Sequence, residues 1–143
     1  MQRKTIFIII ILSLLLANLA FSSSEKISVT RAADVTNDQP TLNFPDSITL
    51  RATLKSDAPI TSVVLEYGTG ELTCGTVLAK AFPQYTPATS VDVEWIWEMK
   101  QSGSLPPGTS LWWRWRYTDE NGVESLSEKK TVTWIDSKHN WQT

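Results

Sequence analysis

The chain has 143 residues, 41% hydrophobic and 20% charged, with 13 basic and 15 acidic side chains and a formal net charge of −2. That length suits one compact domain with its own core and leaves no room for two. The mildly acidic balance excludes the basic face that a nucleic acid or an anionic membrane surface would require.

The first element lies outside any folded core. Arg3 and Lys4 precede an apolar run from Ile6 to Leu16, interrupted only by Ser13, and small residues follow. This is the layout of a secretory signal peptide helix. Ala20 and Ser22 put small residues where a signal peptidase reads, which predicts cleavage after Ser22 and a signal covering residues 1–22. The alternative is an uncleaved anchor, the one segment through which the membrane would hold the protein. Its apolar run is short against the roughly 20 residues a full span needs. Losing Arg3 and Lys4 leaves 11 basic against 15 acidic side chains, a mature net charge near −4. The expected location is secreted or in the extracytoplasmic cell envelope. Cys74 is the only cysteine, so no intrachain disulfide is available, and it reads as a small buried apolar side chain.

Residues 23–43 are polar and weakly patterned. Ile27 and Val29 alternate with Ser28 and Thr30, enough for one edge strand, and residues 36–40 (TNDQP) read as a linker. Regular alternation begins at Phe44, and residues 44–136 form the predicted domain. Ile48, Leu50, Ala52 and Leu54 share one face of a half-buried strand, with Thr49, Arg51, Thr53 and Lys55 on the other. A second strand follows, with Val63, Leu65 and Tyr67 inward, stopped by Gly68, Thr69 and Gly70. A weaker strand covers residues 74–82. In the next, Val91, Val93, Trp95 and Trp97 share a face opposite Asp92, Glu94 and Glu98. Pro106, Pro107 and Gly108 make a corner, because the prolines cannot donate to a ladder and the glycine permits a positive φ. A long strand follows from Ser110, residues 119–122 (DENG) predict a hairpin, and residues 129–136 form the last strand. About seven short strands without sustained helical periodicity predict an all-β, antiparallel sandwich of the immunoglobulin or fibronectin type III kind.

Residues 110–117 (SLWWRWRY) concentrate three tryptophans and two arginines. Parity puts Leu111, Trp113, Trp115 and Tyr117 on the core face, and Trp112, Arg114, Arg116 and Thr118 outside. With Trp95 and Trp97 this gives four tryptophans to one core, each burying roughly 200 Å². Trp112 is the exception. Glu66 on a neighbouring strand is placed to pair with an arginine, and an arginine to stack on the indole. The other reading of Trp112, Arg114 and Arg116 is a sugar- or partner-binding strip.

No catalytic constellation is visible. His139 is the only histidine and lies past the last strand, so no histidine-built zinc site assembles. HExxH, a glycine-rich phosphate loop and a nucleophile elbow are all missing. Glu94 and Glu98 share a face as glycosidase carboxylates do, but read as a solvated outer edge. The expectation is a protein that is not an enzyme and carries no cofactor or metal.

Residues 104–134 resemble the last strands of a fibronectin type III domain, in the order of corner, alternating strand, hairpin and closing strand. Leu111 stands where that family usually has its corner tyrosine. A wider resemblance, carried by Trp95-x-Trp97, the corner at residues 106–108 and the ending from Asp136 to Trp141, is to the N-terminal domain of secreted bacterial peptidases of the peptidase MA-like group. In those proteins a signal peptide and a β-sandwich precede a gluzincin-type zinc peptidase domain bearing HExxH. None of the catalytic or zinc-binding positions exists in this chain. The resemblance therefore implies an accessory domain whose partner is a peptidase domain in cis or in trans. Residues 137–143 would be a linker to a domain the chain does not contain. An apolar patch around Ile135 and Trp141 is expected to meet that partner. The alternative function is a stand-alone module that binds a glycan or a cell-surface protein through Trp112 and its arginines.

Overall fold

A computed structural model describes residues 30–70 and 79–136. They form nine strands and one helical turn: β1 (Thr30–Ala32), β2 (Asp34–Asn43), β3 (Ser47–Lys55), β4 (Ile60–Thr69), β5 (Ala79–Ala81), β6 (Ser90–Glu98), α1 (Met99–Ser102), β7 (Ser110–Asp119), β8 (Glu124–Leu126) and β9 (Lys130–Thr133). One sheet has the order β1-β8-β7-β4-β5, with β9 also paired to β7; the other is β2-β3-β6. The expected all-β sandwich is what the chain forms. Every ladder is antiparallel except β1 on β8, which is parallel.

Alternation sets the core. Ile48, Leu50, Ala52 and Leu54 of β3 are all buried, and they meet Val63 and Leu65 of β4, Val91 and Val93 of β6, and Leu111, Trp113, Trp115 and Tyr117 of β7. Trp95 and Trp97 pack against this cluster half-buried, Trp97 edge-on to Tyr67 with ring centroids 4.8 Å apart. Trp134 closes one end, fully buried, with Phe44 at 5.0 Å. The corner before β7 also forms as expected. Gly108 takes φ +90° and its N–H donates to the carbonyl of Trp134.

One expectation needs correction. Residues 36–40 are not a linker; they lie inside β2, which pairs with β3, so the sandwich begins before Phe44. The polar run hides a β-bulge. The register shifts between Thr36 and Gln39, and Asn37 adopts φ +53°. An extra residue flips the sides on which its neighbours point. Asp38 consequently turns into the core, with 4% of its surface exposed. The strand expected over residues 74–82 is described only from residue 79, where Ala79–Ala81 form β5. Cys74 and the proposed signal at residues 1–22 lie outside the described residues. Those described include no helix long and apolar enough to cross a membrane.

Candidate functional site

The strip singled out by sequence lies on the outer face of β7. This strand is central in its sheet, with β4 along one side and β9 and β8 in succession along the other. Trp112 and Arg116 therefore have ladder partners on both sides, while Arg114 has one on β4 alone. Glu66 of β4 stands opposite Arg114 in the ladder. Arg114 Nε donates to Glu66 Oε2 at 2.6 Å and Arg116 Nε to Oε1 at 3.2 Å, so one carboxylate takes both arginines. Arg116 also reaches Glu124 Oε1 of β8 at 2.5 Å. Glu66 is only 1% exposed. Burial pushes its carboxyl upward, but the bonds and charges of Arg114 and Arg116 outweigh that and hold it below its ordinary value.

Trp112 departs from the expectation of an exposed ring. It does face outward, but only 7% of its surface is accessible. Its ladder partners are Gly68 on β4 and Thr131 on β9. Gly68 presents no side chain beside the indole. Lys129 then covers it, with Nζ 4.1 Å from the ring centroid. A lysine takes the cation–π position expected of an arginine, because both arginines are already held by carboxylates. Trp112, Arg114 and Arg116 thus form one continuous strip whose groups are engaged with each other's neighbours. Trp141 and His139 lie outside the described residues.

Three further polar side chains are structural, and of these only Asp38 carried no signal in the sequence. Asp38 Oδ1 accepts from Trp113 Nε1 at 2.8 Å and from Trp115 Nε1 at 3.0 Å, while Lys130 Nζ lies 3.1 Å from Oδ2. Tyr117 donates its hydroxyl proton to the carbonyl of Lys55 at 2.7 Å and accepts from the N–H of Asp34. Asp119 organises the hairpin, accepting from the N–H groups of Asn121 and Val123 and from Ser56 Oγ. Its role as turn geometry was legible from its place before Asn121 and Gly122.

Two further surfaces are open to solvent. At one end Phe44, Pro107, Ile135 and Asp136 line an apolar depression of about 330 Å³, and Ile135 is 47% exposed. Of the apolar patch expected around Ile135 and Trp141, the Ile135 side is exposed, and Trp141 lies outside the described residues. On the outer side of the three-stranded sheet, a groove of about 650 Å³ runs between the segment after β5 and the polar face of β3 and β6. Glu94, expected at a solvated edge, is exposed there and paired with Arg51. Among the described residues, no group of three or more His, Cys, Asp or Glu side chains is placed to hold a metal ion.

No protein-family profile matches the chain, and no curated protein sequence matches it. Among solved structures it is similar to wild-type OgpA from Akkermansia muciniphila, with a TM-score of 0.53 and 12% identity, over 73% of this chain and 29% of that one. It is also similar to the bromine derivative of BhCBM56, with a TM-score of 0.42 and 13% identity, over 72% of this chain and 99% of that one. The chain therefore spans less than a third of the length of OgpA. At such identities the likeness is one of fold, a β-sandwich.

Proposed function

We propose that this chain is an exported, non-catalytic β-sandwich that works as an accessory interaction domain. The observation that carries the reading is the depression beside Ile135. An aliphatic side chain stands 47% exposed next to Phe44 and Pro107, at the end of the sandwich where the chain leaves β9. Apolar surface gathered in this way gains most by being covered, which is how interaction sites differ from scattered surface residues. The sequence resemblance supplies the partner class, a peptidase MA-like zinc peptidase domain in cis or in trans. The Trp112 platform is the weaker reading, because its ring is covered by Lys129 and its arginines are committed to Glu66 and Glu124.

The test has two steps. An immunoblot of culture medium and envelope from the source organism reads the size and location of the native protein. A band much larger than this chain places the partner in cis, and a band of its own size places it in trans. Sedimentation with a purified peptidase MA-like domain then measures association, which Ile135→Asp should weaken by at least about tenfold while the fold survives. A protein retained in the cytoplasm, or one without affinity for such a domain in either arrangement, ends this reading.

A further inference from the structure

The groove on the three-stranded sheet lies apart from the Ile135 surface and shares no lining residue with it. Register builds its floor. In the β3–β6 ladder Arg51 stands opposite Glu94 and Thr53 opposite Asp92. Arg51 Nε donates to Glu94 Oε2. Thr53 Oγ1 donates to Asp92 Oδ1 at 2.6 Å and accepts from Asn37 Nδ2 at 3.2 Å. The bulge that turns Asp38 inward is what brings Asn37 to this outer face. The far wall is Phe82, just past β5, whose side chain is among the most exposed large apolar groups described, at 64%.

These groups hold one another in place and still have capacity to spare. Asp92 and Glu94 each use one carboxylate oxygen, Arg51 uses only its Nε, and Asn37 only its Nδ2. A carboxylate has about four acceptor sites and a guanidinium five donors, so donors and acceptors are both left over. Side chains already fixed by neighbours lose little freedom on binding, which lowers the cost of association. The volume of about 650 Å³ falls in the range of roughly 300–1,000 Å³ typical of small-molecule sites.

The ligand class follows from that mixture. One arginine against one aspartate and one glutamate gives the lining a net negative formal charge, which disfavours phosphate, sulfate or carboxylate ligands. A purely apolar ligand would strand the polar floor. A ligand with one apolar C–H face and several neutral hydroxyls satisfies both walls. We infer that this groove binds a neutral oligosaccharide, a pyranose face resting on Phe82 and its hydroxyls bonded to Asp92, Glu94, Arg51 and Asn37.

The experiment is affinity electrophoresis of the full chain, purified after export from an expressing host, through native gels containing galactomannan, pullulan, laminarin or heparin. At least one of the three neutral polysaccharides should retard the protein, and heparin should not. Phe82→Ala and Asp92→Ala should each weaken that retardation by about tenfold or more. Both positions are exposed, so near-ultraviolet circular dichroism should show an intact fold. Trp112→Ala should leave the retardation unchanged. Three outcomes would overturn the inference: no retardation by any neutral polysaccharide, retardation by heparin alone, or retardation that survives both groove substitutions.

Discussion

The carboxylate of Asp38 lies 2.8 Å from the indole nitrogen of Trp113, buried between two sheets that local sequence does not connect. The same oxygen accepts from Trp115, and Lys130 neutralises the carboxylate from the rim. A core with this many tryptophans has to find acceptors for their N–H groups, and here one side chain from a bulge serves two.

Removing that acceptor should therefore be costly. Asp38→Ala leaves two indole N–H groups unpaired, each worth about 1–3 kcal/mol when buried. We expect a loss of about 2–4 kcal/mol, read as a lower urea midpoint with an unchanged m-value. Asp38→Asn keeps a carbonyl acceptor and should lose less. Equal losses in the two variants would show that the Lys130 charge pair, not the indole bonds, carries the stability.

Glu66 predicts a pH dependence. Its folded value is lowered from the ordinary 4.5 by Arg114 and Arg116, so the unfolded chain binds the proton more readily. The contribution to stability is thus complete above about 4.5 and is lost as pH falls through the lower folded value. Glu66→Gln should destabilise by about 2–3 kcal/mol at neutral pH, below the ~3–5 of a fully buried pair because both arginines keep contact with water. Thermal melts should show the gap between wild type and variant narrowing in acid. A gap that stays constant from pH 7 to pH 3 would mean that packing, not charge, sets the effect.

Trp112→Ala should act on stability and not on binding. The indole is buried, with Lys129 over its ring, yet lies outside the main core cluster. A loss of about 2 kcal/mol is expected, less than the ~3–5 of a core aromatic. Denaturant unfolding measures it, and the polysaccharide gels supply the contrast with Phe82→Ala.

Gly108→Ala tests the corner. At φ +90° the backbone is where a side chain is disfavoured, and a new Cβ would meet nothing within 4 Å. The cost is conformational alone, about 1–2 kcal/mol. In a domain of this size that lowers Tm by several degrees, which differential scanning calorimetry resolves.

Much of the fold was legible in the sequence, because a strand repeats every two residues and the apolar set has one face to fill. Ile48 to Leu54 and Leu111 to Tyr117 show their inward sides without any knowledge of their partners. The Gly108 corner and the Asp119 hairpin were equally readable, since the backbone each needs is set by local residue types. What only the tertiary structure decided came from neighbours distant in sequence. Residues 36–40 looked like a linker because a bulge breaks the alternation by which strands are found, and Asp38 has no inward signal until the tryptophans of β7 lie across from it. Trp112 is outward by parity, but whether an outward ring is bare depends on what crosses it, and Gly68 and Lys129 arrive from β4 and from the segment before β9. The groove is the same case. Phe82 meets Arg51, Asp92 and Glu94 only because register pairs β3 with β6 and the chain returns past their face. Parity is a property of a single strand and can be read from it. Coverage and convergence depend on pairing, which the fold as a whole fixes.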